Sequence, residues 1–236
     1  MKICLIYHQR LGDILRILPI ARHLANQGHE VLVEVLPQYV SIFGAISYAK
    51  PSDPKDHAAH NFDKVYDLQI WPTRYADFME SGKSWSDYVF GLFPEFSEIS
   101  RKPIFDLLDE GNGLAHYGFT EPICLFAPFG YSQTTRYKFD ALLAEARALS
   151  NRKLVMLVDP AQHKHLLELG VKDGDMLCAK KLSDLPRLIC EAEDFFTINS
   201  SPCVIAGAVR QSFFHVIEGT QNDEITAASR IVTIRA

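Results

Sequence analysis

Short apolar runs alternate along the chain with amphipathic stretches of helical length. Residues 3–7 form the first run, and polar residues 8–10 connect it to a stretch over 12–27 with helical periodicity. A second apolar run covers residues 30–36, and the pattern starts again at residue 123. Alternation of this kind is typical of βαβ units around a parallel sheet. The chain is therefore predicted to be an α/β protein.

Further elements follow from the same pattern. In the first half we expect a helix after Pro37, a loop over residues 50–54, a strand over 65–71 and an aromatic-rich helical region over 73–111. In the second half we expect strands over 123–129, 153–159, 175–179 and 195–199, with helices over 137–149, 160–169 and 183–192. Residues 231–234 are interpreted as an edge strand or a tail. The aromatic side chains of 75–96 are either core or a binding surface, and general burial preferences favour core.

A turn-rich segment from Glu110 to Pro122 separates the two halves. We predict two domains there, one over residues 1–117 and one over residues 118–236. Right-handed crossovers would give each domain its own Rossmann-like sheet.

Composition narrows the class of protein. The chain has 236 residues, 47% of them hydrophobic, and a formal net charge of −5, so contact with nucleic acid would need a local basic patch. Five widely spaced cysteines indicate reduced thiols and a cytoplasmic protein. No apolar run approaches the roughly 20 residues of a membrane helix, which leaves peripheral membrane contact open. His57 and His60 stand in a proline-flanked loop without a nearby acid or cysteine, so no metal site is predicted.

The loop after the first strand carries the first candidate site. Arg10, Gly12 and Asp13 lie where open α/β sheets bind ligands, at the carboxyl ends of the strands. Glycine lets a ligand approach the backbone, and aspartate can accept a proton from a hydroxyl group. The alternative is that Asp13 only complements the helix dipole from the first turn.

Two loops of the second half could bind a diphosphate. Both precede helices, whose N-terminal N–H groups attract anions, although structural capping alone explains the second loop equally well. The first loop contributes hydroxyl groups, backbone donors and cations, and the second combines an amide with two serines ahead of a proline. The candidate residues are Gly130, Ser132, Thr134, Thr135, Arg136 and Lys138 in the first loop and Asn199, Ser200 and Ser201 in the second.

These segments together resemble the GT-B glycosyltransferases, and specifically the heptosyltransferases of glycosyltransferase family 9. Residues 10–15 with Leu18-Pro19 are similar to the N-terminal Gly-Asp-Val/Ile and Leu-Pro signature of that family. Residues 127–130 with 135–137 resemble its Pro-Gly loop, and residues 182–192 resemble the segment before its last ligand loop. Residues 199–202 fall where the family has an Asn-Asp-Ser/Thr-Gly-Pro-x-His motif.

The resemblance implies two Rossmann-like domains that face each other across a cleft, and transfer of a sugar from a nucleotide-diphosphate donor to a hydroxyl acceptor. It implies that Asp13 is the base and that the two loops of the second half hold the donor. Arg10, which is close to Asp13 in the sequence, is expected to offset developing negative charge. No cofactor and no metal ion are expected. The acceptor stays open between a glycan, a small molecule and a hydroxymethylated DNA base, and the acidic charge disfavours DNA.

The chain also departs from the family pattern. Ser200 stands in place of the expected acid, Pro202 in place of the glycine and Ile205 in place of the histidine, and the chain is shorter than usual for this fold. Two other functions therefore stay open: a catalytically silent nucleotide- or glycan-binding module, and a sugar-nucleotide epimerase.

Overall fold

The computed structural model describes residues 1–59, 61–129, 138–210, 212–217 and 229–232. The chain divides into two compact units, Met1–Asp106 and Leu107–Ala236. Each unit is built around a parallel sheet with helical connections, which confirms the predicted α/β class. Among the described residues, no helix is both long enough and apolar enough to cross a bilayer.

The first unit contains a four-stranded parallel sheet in the order β3-β2-β1-β4. β1 lies between two neighbours and its three central residues are fully buried, which explains why it is a continuous apolar run. The helix α1, predicted from its apolar periodicity, connects β1 to β2. The bounds are β1 Lys2–Ile6, α1 Leu11–Asn26, β2 Glu30–Glu34, β3 Lys50–Ser52 and β4 Lys64–Asp67.

The loop prediction for residues 50–54 was wrong in its first part. Lys50–Ser52 pairs with β2 in parallel register, with Pro51 opposite Val33. Proline lacks the N–H that a central strand must donate, but β3 is an edge strand and needs hydrogen bonds on one side only. The helix expected after Pro37 is a 3₁₀ helix over Pro37–Ala45.

The aromatic-rich region contains two short helices, α2 over Tyr75–Ser81 and α3 over Trp85–Phe90, followed by 3₁₀ turns. Phe90 and Phe96 are fully buried, so the core interpretation is confirmed for these two rings. Tyr75 is 44% exposed and packs edge-to-face on Trp71, which is 54% exposed. The region therefore combines core side chains with a small exposed aromatic surface.

The second unit contains a six-stranded parallel sheet in the order β10-β9-β8-β5-β6-β7, which is the strand order of the Rossmann fold. The strand β9 was not predicted from the sequence. The segment around residues 231–234, left open between an edge strand and a tail, contributes to the edge strand β10. The bounds are β5 Ile123–Ala127, α4 Phe139–Leu149, β6 Lys153–Val158, α5 Pro160–Glu168, β7 Met176–Cys178, α6 Leu185–Glu191, β8 Asp194–Ile198, α7 Ser201–Val209, β9 Phe214–Ile217 and β10 Ser229–Val232.

The segment 107–117, which the sequence assigned to the first domain, lies in the second unit. It is held there by Asp184, a 1% exposed carboxylate just before α6. Asp184 accepts hydrogen bonds from the Asn112 backbone N–H at 2.9 Å and from the Tyr117 hydroxyl at 2.6 Å. Burial alone would raise the pKa of Asp184, but these hydrogen bonds hold the pKa below its usual value.

Tyr117→Phe is expected to destabilise the protein by about 1.5–3 kcal/mol at neutral pH, because it removes a hydrogen bond to a buried charge. A carboxyl with a depressed folded-state pKa contributes stability above its unfolded pKa and loses it as the pH falls through the folded value. The difference between wild type and Tyr117→Phe should therefore shrink in acid. Urea denaturation at several pH values measures both effects.

Tyr75→Phe is the matched control, because the Tyr75 ring is exposed on the aromatic surface of the first unit. It should change stability by less than about 0.5 kcal/mol. A Tyr117→Phe variant as stable as this control would contradict the role given to Asp184.

Candidate active site

The candidate site of the first unit lies where the sheet order reverses. β1 pairs with β2 on one side and with β4 on the other, and the chain leaves β1 at the carboxyl edge of the sheet. Residues 7–10 form the connection and α1 starts at Leu11. Crevices at this kind of reversal are where open α/β sheets bind their ligands.

Asp13 is the third residue of α1 and interacts with a buried tyrosine. The Tyr7 hydroxyl donates to Asp13 Oδ2 at 2.9 Å, and the Tyr7 side chain is only 3% exposed. The ring of Trp85, at the start of α3, packs edge-to-face on Tyr7 with 5.7 Å between centroids. Three separate parts of the unit thus fix the orientation of this carboxylate.

Burial raises the pKa of Asp13 above its ordinary value. The hydrogen bond from Tyr7 and the positive charges of Arg16 and Arg10 oppose the shift without cancelling it. Arg16 is itself buried and donates to Ser86 Oγ at 3.2 Å, so its charge is held in place. A carboxylate with a raised pKa is a better base near neutral pH than an ordinary aspartate.

Arg10 and Gly12, the other predicted site residues of this loop, lie at the start of α1. Arg10 is an exposed residue at the N-cap of α1, and its side chain makes no capping hydrogen bond. Gly12 is the second residue of the helix. Asp13 also lies in the first turn, so it complements the helix dipole in addition to interacting with Tyr7.

A second carboxylate at the same sheet edge was not among the predicted site residues. Glu34 ends β2 and is 1% exposed. His8 Nε2 lies 3.0 Å from its Oε2, His57 Nδ1 is in direct hydrogen-bond contact with its Oε1, and the Cys4 thiol donates to Oε1 at 3.6 Å. The sequence signal for this site was the position of Glu34 inside the apolar run 30–36. A charge buried in a strand needs polar partners, so this position indicates a group of polar side chains.

The predicted donor loop of the second unit is described only at its end. Gly130, Ser132, Thr134, Thr135 and Arg136 lie outside the described residues. Lys138 is exposed and forms the N-cap of α4, without a side-chain capping hydrogen bond. Just before the gap, Phe129 stacks on Phe139 with 5.7 Å between ring centroids.

Asn199, Ser200 and Ser201 follow β8, the strand beside β5. Both loops proposed to bind the donor therefore leave neighbouring strands at the reversal point of the second sheet. Ser200 occupies the N-cap of α7 but does not cap it, since its hydroxyl donates to the Ile198 carbonyl at 3.3 Å. Pro202 is the second residue of α7.

The chain resembles solved glycosyltransferase structures over almost its whole length. A family 9 glycosyltransferase from Veillonella parvula has a TM-score of 0.66 and 11% identity, over 98% of this chain and 85% of that protein. Escherichia coli ADP-heptose LPS heptosyltransferase II has a TM-score of 0.64 and 12% identity, over 98% of this chain and 90% of that protein. Heptosyltransferase WaaC of E. coli, solved with ADP, has a TM-score of 0.64 and 13% identity, over 99% of this chain and 91% of that protein.

This chain has the fold of those glycosyltransferases. The heptosyltransferase-like resemblance stated from the sequence is thereby confirmed as a likeness of fold. Sequence identities of 11–13% show the shared fold and do not show a shared activity. The sequence itself matches no protein-family model and no curated protein.

Tyr7→Phe is expected to raise the pKa of Asp13 further, because the hydrogen bond from Tyr7 favours the charged carboxylate. The titration of the Asp13 carboxyl carbon, followed by NMR, should move to higher pH. Tyr39→Phe is the control, since the Tyr39 hydroxyl donates to the Gln9 carbonyl in the same loop, at 3.3 Å, and not to Asp13. Equal midpoints in the two variants would contradict the coupling between Tyr7 and Asp13.

Proposed function

We propose that the protein is a glycosyltransferase that moves a sugar from a nucleotide-diphosphate donor to a hydroxyl acceptor, with Asp13 as base. The observation that carries the proposal is the Asp13 carboxylate itself. It lies at a sheet reversal, has a raised pKa and is oriented by a buried tyrosine, in a fold shared with heptosyltransferases.

In the proposed reaction, the Asp13 carboxylate accepts the proton of the acceptor hydroxyl as that oxygen bonds to the anomeric carbon of the sugar. The bond from the anomeric carbon to the diphosphate oxygen breaks, and the nucleoside diphosphate leaves with the electron pair. Arg10 would offset negative charge near Asp13. General-base catalysis of this kind contributes about 10²–10⁴-fold to the rate.

The donor is proposed to bind at the reversal point of the second sheet. Helix N-termini and cations are suited to a diphosphate, and Arg136 and Lys138 would supply positive charge there. With these groups, we propose that the diphosphate needs no divalent cation. ADP-linked sugars are the first donors to test, because the related structures include heptosyltransferases solved with ADP and with an ADP-linked fluoroheptose.

One observation favours the alternative of a catalytically silent binding module. Ile205, at the position of the family histidine, is fully buried inside α7, and Ser200 lacks the charge of the family acid. Any donor contact of those two family residues is therefore missing here. A module that binds a nucleotide or glycan without turnover would keep the fold and lose these groups.

The donor is tested by thermal shift with nucleoside diphosphates and their sugars, starting with ADP and ADP-heptose. A ligand present at 100 times its Kd stabilises the folded protein by about 2.7 kcal/mol. Lys138→Ala should weaken the shift, and Lys164→Ala, on the exposed side of α5, should leave it unchanged. No shift with any of these compounds would overturn the proposal, and a shift without any turnover would favour the silent module.

Asp13→Asn is expected to keep donor binding and to lower kcat by about 100-fold or more. It should also raise Tm near neutral pH. A carboxyl with a raised folded-state pKa stabilises the fold below its unfolded pKa and loses this contribution as the pH rises through the folded value. Asparagine stays neutral and avoids that loss. Unchanged turnover would remove Asp13 from the mechanism, whatever the change in Tm.

Acceptor classes can be separated by the salt dependence of binding. A hydroxymethylated DNA acceptor would bind through its phosphates, so its affinity should fall steeply with salt concentration. The net charge of −5 opposes such binding and favours a glycan or small-molecule acceptor.

A further inference from the structure

The carboxyl edge of the first sheet contains a group of donor atoms that the proposed transfer reaction does not use. Cys4 Sγ, a carboxylate oxygen of Glu34 and a ring nitrogen of His57 all lie within 4.8 Å of one another. They come from three different elements: β1, the end of β2 and the 3₁₀ helix Pro54–Ala59. The fold thus brings together residues 30 and 23 positions apart in sequence.

We propose that Cys4, Glu34 and His57 bind a divalent transition-metal ion, with zinc as the best fit. A thiolate, an imidazole and a carboxylate are the three ligand types that proteins use for zinc. Magnesium and calcium prefer sites made only of oxygen atoms, so a set that contains sulfur and nitrogen disfavours both.

The separation of sulfur and oxygen fits this assignment. Two tetrahedral zinc ligands at about 2.3 Å for sulfur and about 2.0 Å for oxygen lie about 3.5 Å apart. Cys4 Sγ and Glu34 Oε1 are 3.6 Å apart. His57 Nδ1 contacts Glu34 Oε1 directly and would have to move back, which its 42% exposed side chain on a short helix allows.

The charges of the group also fit a cation. Glu34 is almost fully buried, and a buried carboxylate needs a compensating positive charge. A bound divalent ion would compensate both the carboxylate and a Cys4 thiolate. A coordinating thiol is deprotonated by its metal even where it would otherwise stay neutral.

His8 completes the surroundings of Glu34. Its Nε2 lies 3.0 Å from Oε2, the oxygen that His57 and Cys4 do not contact. A partner of this kind orients a metal-binding carboxylate, and its loss commonly weakens metal affinity by about 10–100-fold. The His57 side chain is 42% exposed, so water could supply the fourth ligand of a tetrahedral ion.

Cobalt(II) is the probe that reports on sulfur directly. The full-length protein, freed of metal with a chelator, is titrated with Co²⁺ and then with Zn²⁺. One Co²⁺ per chain should produce a thiolate-to-cobalt charge-transfer band in the near ultraviolet and tetrahedral bands in the visible range, and Zn²⁺ should displace it. Absence of the charge-transfer band in the wild type would overturn the proposal.

Variants locate the ion. Cys4→Ser should abolish the charge-transfer band. His57→Ala should weaken Zn²⁺ binding by about 100-fold or more, because loss of a residue that only hydrogen-bonds to a metal ligand already weakens metal affinity by about 10–100-fold. His57 is partly exposed, so this variant keeps the test valid if the buried Cys4→Ser substitution prevents folding. Unchanged Zn²⁺ affinity in His57→Ala would overturn the assignment.

Two matched controls lie in the second unit. Cys190 is an exposed thiol, and the ring of His163 pairs with Asp173 at 2.8 Å. Cys190→Ser and His163→Ala should keep both the cobalt spectrum and the Zn²⁺ affinity. A band that disappears in Cys190→Ser and persists in Cys4→Ser would show that the ion binds elsewhere. The metal test involves no nucleotide, so its result is independent of the proposed transferase activity.

Discussion

Parallel pairing on both sides of a central strand is the constraint on which both units depend. β1 has parallel neighbours in β2 and β4, and β5 has them in β6 and β8. Parallel strands must all be entered from one edge, so each connection returns the chain across the sheet, and loops that follow strands collect at the carboxyl edge. All five residues of β5 are buried, as expected for a strand with neighbours on both sides and covered faces.

The same constraint decides which parts of the fold the sequence could predict. α1, β1, β5 and β8 have a strong periodicity or a continuous apolar run, and both are local properties. β3 and β9 are three and four residues long and become strands only through pairing with β2 and β8. The partner that fixes segment 107–117 is equally remote, because Asp184 lies 72 positions from Asn112. Composition within a short window cannot report such pairings.

The candidate site divides in the same way. Asp13 was predicted because its place between a strand and a helix is visible in the sequence. Its raised pKa could not be predicted, since it is caused by the burial of the carboxyl group in the folded unit. Glu34 was visible as a charge in an apolar run, but its partners His8 and His57 lie 26 and 23 positions away. The residue types could be read locally, and their environments could not.

The environments also separate the two carboxylates as candidate bases. Glu34 has hydrogen-bond partners on both oxygens, so a proton from a substrate could reach it only by displacing an imidazole. Asp13 accepts a side-chain hydrogen bond from Tyr7 on Oδ2, and burial remains the largest influence on its pKa. A base must have an accessible lone pair and a charge that the protein has not already fully compensated. By that criterion Asp13 is the better candidate for the proposed proton transfer, and Glu34, with its imidazole and thiol neighbours, is the better candidate for the proposed metal site.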